Sequence, residues 1–204
     1  MSTSPAASDR RRGRPPQFDH DRALGELLTL FWRKGYDAAT QEEMLAATGL
    51  SSSTLYRSFG NKADILGAVL QHYVSVASVM FTPLEHGHRG TADIHAFLDL
   101  IDEWVRGPMG SAGCLVVETM QNPINRDPRV SALTTAHLER MSRALQAAVQ
   151  RAVTADDLPP STADSFADAL QAGVLGVLAR ARTGHVDDAV RLLTGVRGLL
   201  PAAS

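Results

Sequence analysis

The sequence predicts an all-α chain, and three observations carry that. Aromatic residues make up 5% of the 204 residues while alanine and leucine are abundant, a composition that suits packed helices better than a β-sandwich. Apolar residues recur three and four apart over long stretches, as at Leu24, Leu27, Leu28 and Phe31. No stretch alternates apolar and polar residues for long enough to make a convincing strand. A chain of this length buries a substantial core and forms one or two domains.

Residues 1–17 are rich in Ser, Ala, Arg and Pro and are expected to be a disordered basic tail. Its Arg10, Arg11, Arg12 and Arg14 are either simply solvated or form an arm laid on phosphates or in a minor groove. The first helix is expected from Asp19 or His20 to Gly35, with its leucine and phenylalanine stripe facing a core.

Residues 40–62, TQEEMLAATGLSSSTLYRSFGNK, spell two short helices joined by a tight turn. Thr40 caps the first, and Glu43 stands three residues on, where its carboxylate reaches back. Gly49 ends that helix, Leu50 plugs the corner, and Ser51 caps a second helix to about Phe59. Leu55 and Phe59 face inward. That leaves Ser52, Ser53, Thr54, Tyr56, Arg57 and Ser58 for an outer face of hydroxyls and one guanidinium, with no carboxylate. Such donors suit phosphates and base edges. On spacing alone the unit also reads as an ordinary helical hairpin with a solvated face. Asn61 caps a further helix to about Val79, with Lys62 in its first turn and Ile65, Leu66, Val69, Tyr73 and Val76 along it. This helix starts at the hairpin and ends in the remainder of the chain, so it is a mechanical link between the two.

Thr82 to Gly90 is expected to be a loop because of its proline and glycines. A helix comes next, from about Thr91 to Arg106, with Ile94, Phe97, Leu98, Ile101 and Val105 on one side. For CLVVETMQ, residues 114–121, period alone leaves buried strand and buried helix open. Pro123 and Pro128 bound a loop before a long helix from about Arg129 to Thr154. Ser161 opens another to about Thr183, striped by Phe166, Leu170, Val174 and Val177, with Gly173 and Gly176 beside the stripe. The last helix runs from Val186 to about Leu200 through Val190, Leu193 and Val196.

The net charge of −2 names no partner, but its distribution says more. Residues 1–62 hold nine Lys or Arg and seven Asp or Glu, a sum of +2; the remainder hold eleven and fifteen, a sum of −4. The positive end is the one that carries the hairpin. One cysteine, Cys114, permits no intrachain disulfide. No signal-peptide pattern is expected at the N-terminus, and no apolar run approaches membrane-spanning length, so the cytoplasm is the expected compartment.

No Gly-rich phosphate loop, nucleophile elbow or clustered catalytic set is present, so no cofactor and no enzyme activity are expected. Glu85, His86 and His88 lie close together, but two-apart histidines need further ligands to hold a metal, and none is expected. His95 and His137 read as surface or core groups. Cys114, in GCLVVE, reads either as a buried small hydrophobe or as a thiol at a ligand cavity, with no certain cation beside it to lower its pKa.

The words FWRKGYDAAT and AATGLSSSTLYRSFGNKADIL make residues 18–75 resemble the DNA-binding domain of the TetR (tetracycline-repressor) family of bacterial transcription regulators. From Gly49 to Lys62 the turn glycine, the Thr-Leu-Tyr core, the phenylalanine and the closing lysine all match; Ser53 departs, since many members carry Gly or Pro there. The resemblance implies a helix-turn-helix domain at 18–64 that binds a double-stranded DNA operator. It implies a helical domain at 65–204 that binds a small-molecule effector and forms a homodimer, with 114–121 helical. The DNA-facing set so implied is Thr40, Gln41, Ser51, Ser52, Ser53, Thr54, Tyr56, Arg57, Ser58 and Lys62. Soft and aromatic side chains nominate Phe81, Phe97, Trp104, Met109, Met120 and Met141 for the effector, with Cys114. The last two helices nominate Phe166, Leu170, Gly173, Val174, Val177, Val190, Leu193 and Val196 for the dimer interface. A repressor released by an apolar or electrophilic molecule is the expected function. The alternatives are a constitutive DNA-binding protein without a ligand, which an internal cavity would argue against, and a helical enzyme that carries an incidental hairpin.

Overall fold

Asp19 opens α1 (His20–Lys34): its carboxylate accepts the Arg22 N–H at 3.0 Å, satisfying one of the donors a helix start leaves free. The computed structural model describes residues 19–160 and 163–201, so the basic tail and Ser161 lie outside the described residues. Helix α2 (Gln41–Thr48) begins on the expected capping box, Thr40 accepting from Glu43 N–H and Glu43 from Thr40 N–H. Gly49 turns the chain at φ 68°, a left-handed conformation that costs glycine little. Ser51 caps α3 (Ser52–Phe59), and Asn61 makes a second capping box with Asp64 at the start of α4 (Lys62–Ala77).

The chain continues through a 3₁₀ turn at Ser78–Phe81 into α5 (Thr82–His86). A helix here corrects the expected loop: Pro83 lies in its first turn, where proline breaks nothing. Then come α6 (Thr91–Arg106), a 3₁₀ turn at Gly110–Ala112, α7 (Leu115–Gln121), a 3₁₀ turn at Pro123–Arg126, α8 (Pro128–Thr154), α9 (Ala163–Arg182) and α10 (Val186–Arg197). No strand occurs among the described residues.

Helix α4 is the spine. It packs on α1 with one side and on α7 and α8 with another, burying Ile65, Leu66, Val69, Leu70 and Tyr73. Each such apolar side chain contributes roughly 1.5–3 kcal/mol to the fold. By length and composition the segment Lys62–His86 would also suffice to cross a membrane, although Ile65, Leu66, Val69, Leu70 and Tyr73 are buried against these neighbours here. Helix α9 lies between α8 and α10, and α10 also touches α6.

Candidate functional site

The outward side of α3 is built by caps and short hydrogen bonds. Leu55 is fully buried and Phe59 nearly so, which fixes the helix on the core and turns Ser53 and Arg57 to solvent. Ser51 Oγ accepts the Thr54 N–H and lies within hydrogen-bond distance of the Ser53 and Thr54 hydroxyls, at 3.1 and 2.9 Å. Gln41 joins the two helices: its amide donates to Ser52 Oγ at 3.2 Å and accepts from the Tyr56 hydroxyl at 3.1 Å. Gln41 is thus a strut that holds Tyr56. Ser58 is half-buried. Arg57 makes no hydrogen bond or ion pair among the described residues, so its guanidinium is free to meet an outside acceptor. Lys62 Nζ sits over the Tyr36 ring, 4.6 Å from its centre, and 3.4 Å from the Asp37 carbonyl.

A second feature lies inside the helical bundle. Side chains from α4, α6, α8 and α9 surround a cavity of about 30 Å³, roughly the room of one or two waters. Of the nominated effector residues, Phe81, Phe97, Trp104, Cys114 and Met141 line it, together with Tyr73, Met80 and His137. Met109 and Met120 do not. Met109 lies at a separate surface recess, where Arg33 approaches its sulfur at 3.8 Å, and Met120 is 39% exposed. Residue type marked both as soft and apolar, but Met109 stands before the turn that leads to α7 and Met120 on an exposed side of α7.

The thiol of Cys114 is buried and receives the Tyr73 hydroxyl at 3.3 Å. Burial pushes its pKa up, against the opposing hydrogen bonds, so the thiolate is disfavoured. His137 sits beside Phe81, ring centres 5.3 Å apart. Burial, then the nearby Arg140, lowers its pKa to about 4, so the ring is neutral at pH 7. A base depressed in the fold supports stability above its unfolded pKa and withdraws it as pH falls through the folded value. Roughly 3 kcal/mol should therefore be lost between about pH 6.5 and pH 4 through this one group. Urea titrations of wild type and His137→Phe across that range test it. The variant should lose less stability on acidification, and equal slopes would refute the assignment.

The cavity and the hairpin are joined at Trp32, near the end of α1, which the sequence reading did not single out. Its indole stacks on Trp104 at 5.1 Å, meets Tyr73 edge-on at 5.0 Å, and donates to the Gly113 carbonyl at 3.0 Å. Its own carbonyl accepts from Arg182 of α9. Asp37 accepts from Asn122, and Asp64 pairs with Arg129. The available signal was Phe31 and Trp32 side by side: two adjacent buried aromatics on one helix face two different neighbours.

The nominated dimer residues need correction. Leu170, Val174, Val177 and Leu193 are at most 1% exposed within this one chain, so they fill its own core. Gly173 does permit close approach, but to Val196 of the same chain, whose methyl would stand 2.6 Å from an added Cβ. Val196 is 9% exposed; Phe166, Gly173 and Val190 of the set keep partial exposure. Glu85, beside His86 and His88, is taken by Arg140 through two hydrogen bonds of 2.7 and 2.8 Å.

A capped helix-turn-helix carried on a helical bundle with an internal apolar cavity is the plan of a DNA-binding regulator. Comparison with known proteins agrees. Residues 26–69 match the family described as "Bacterial regulatory proteins, tetR family", and residues 90–194 match "Tetracyclin repressor-like, C-terminal domain". The chain belongs to the TetR family and is a DNA-binding transcriptional regulator, not an enzyme. It is similar to the HTH-type transcriptional repressor BdcR of Escherichia coli, 25% identical over 85% of this chain and 84% of that one. It is also similar to the E. coli repressor ComR, 44% identical but over only 31% of this chain and 30% of ComR's length. Its fold matches that of a cysteine mutant of the TetR-family regulator CifR, solved with 26-base-pair operator DNA. The TM-score is 0.79 at 20% identity, over 93% of this chain and all of that one.

Proposed function

We propose that the chain is a repressor that grips a palindromic operator as a homodimer and is released by a small apolar effector. One observation carries this reading: the cavity and the DNA-facing hairpin share α4. Tyr73, Ala77 and Met80 from the distal end of that helical segment line the cavity, while Lys62 stands in its first turn, directly after α3. The cavity is far below the roughly 300 Å³ at which small-molecule sites begin. An occupant therefore has to part its walls, α4 among them, and a shift of α4 re-aims α3. Such coupling is typically worth about 1–3 kcal/mol. The buried, hydrogen-bonded Cys114 favours a non-covalent occupant over an electrophile.

In this reading residues 18–64 form the DNA-binding domain and 65–204 the effector and dimer domain, working in the cytoplasm where the operator is. Arg57 and Ser53 reach base edges. Thr40, Tyr56 and Lys62 hold phosphates. A short recognition helix reads few bases, so two copies, spaced about 34–36 Å or a multiple, read the two half-sites. The outward sides of α9 and α10, where Leu192 is 47% exposed and Leu199, just past α10, is 54% exposed, are the surface left for the second copy.

Anisotropy titrations on an operator selected from genomic fragments test the proposal. Arg57→Ala should cost roughly 1–3 kcal/mol and relax selectivity. Lys62→Ala should weaken all sequences alike and flatten the salt slope by about one unit. A cavity-binding effector must weaken DNA by the factor by which DNA weakens it. Wild-type affinity in both variants would overturn the docking, and a bound effector without effect on DNA would overturn the release mechanism.

A further inference from the structure

Resting on that effector reading, we infer that the effector is an uncharged, mainly apolar molecule with one hydroxyl or carbonyl group, and that His137 recognises that group. The cavity wall fixes the class. Its lining is aliphatic or aromatic apart from three groups with polar side-chain chemistry of their own: Tyr73, Cys114 and His137, with the Trp104 indole as a fourth edge. Tyr73 and Cys114 already spend themselves on each other at 3.3 Å. The His137 ring packs against Phe81 and takes no hydrogen bond from any described residue, although its neutral imidazole holds one donor and one acceptor. His137 is partly buried at the cavity wall, so a ring nitrogen with no partner among the described residues is available to a ligand atom there.

The same wall excludes charge. No Lys, Arg, Asp or Glu lines the cavity. One guanidinium, Arg140, lies 5.8 Å from the Phe81 ring centre, but Glu85 holds it through two hydrogen bonds. His137 is itself neutral at pH 7. A carboxylate or ammonium carried inside would be desolvated without a counter-charge, a cost far above the gain from packing. Met80, Leu138 and Met141 also line the space. Two of these are unbranched thioethers that move aside cheaply, which lets a small ring enter so small a cavity.

The test uses the full chain at pH 7.5 and four probes of one shape: toluene, benzyl alcohol, benzoate and benzylammonium. Titration calorimetry reads affinity, and quenching of Trp32 and Trp104 fluorescence reports the site. Benzyl alcohol should bind, and the two ions should bind at least about 100-fold more weakly. His137→Phe keeps the ring against Phe81 and removes both nitrogens. It should cut the preference for benzyl alcohol over toluene by roughly 5-fold. His137→Gln, which restores a donor and an acceptor, should recover part of that preference. An unchanged preference in His137→Phe overturns the role of His137. Benzoate or benzylammonium bound as tightly as the alcohol overturns the uncharged class, yet leaves the effector reading standing. No binding by any probe up to its solubility limit removes the cavity as a binding site and the effector reading with it.

Discussion

Replacing Trp32 by alanine should cost about 3–5 kcal/mol of stability, the range for deleting a large buried aromatic. Trp32 is 8% exposed and closes the gap between α1 and the helical domain. The substitution removes the stack on Trp104, the edge contact with Tyr73 and the bond to the Gly113 carbonyl. It also leaves a void against the cavity wall, and the Gly113 carbonyl loses its donor. Trp32→Phe separates the parts, since it keeps an aromatic plane but not the N–H. It should cost about 1–2 kcal/mol. Both are read by urea unfolding at one fixed protein concentration, so that any self-association is held constant. A loss under about 1 kcal/mol for Trp32→Ala would show that the two halves do not lean on this side chain. The same variant should blunt any effector response, because the wall Trp32 shares with Trp104 and Tyr73 is its link to α1.

Arg182→Ala should cost about 2–4 kcal/mol, because one guanidinium nitrogen donates to two carbonyls at once, Trp32 at 2.9 Å and Ala112 at 2.8 Å. Another stands 3.8 Å from Glu118, which lies so close to Gly35 that an added Cβ there would collide with its carboxylate. The clamp thus fastens the end of α1 and its adjoining turn to α7 and α9. Arg182→Lys should not rescue it, since an ammonium lacks the planar fork. Burial raises the Glu118 pKa, and Arg182 opposes that rise. Removing Arg182 lifts it further. A carboxyl whose folded pKa is raised supports the fold while protonated and loses that support as pH rises through the folded value. The deficit of Arg182→Ala should therefore grow from acid toward neutral pH. A deficit that shrinks on the same titration, or a lysine variant as stable as wild type, would contradict this account.

Local chemistry was legible in the sequence. Thr40 with Glu43, Ser51 and Asn61 cap the helices expected of them, because a cap is decided by residues within one turn. Gly49 turns the hairpin, and α6 occupies Thr91–Arg106 as its stripe implied. Of the seven residues nominated for the effector, five line the cavity, and most of its wall was not nominated. What escaped was direction and company. Pro83 read as a breaker, although the first turn of a helix accepts it. The stripes on α9 and α10 are buried as expected, but which of their residues face the chain's own core and which a second copy was not legible, because periodicity shows that a face is covered and not by what. Met109 and Met120 have the chemistry of cavity residues and stand outside it.

The sequence by itself determined the class of protein: helices whose caps, turn glycine and carboxylate-free outer face need no distant partner to be recognised. The tertiary structure alone decided how the hairpin and the cavity are joined. Arg182 meets the Trp32 carbonyl across 150 residues of chain, and Tyr73 meets Cys114 across 41. Pattern rules reach three or four residues along a helix, whereas these contacts exist only once the helices have packed. The partner of each is set by the path of the whole chain, and no local periodicity encodes it.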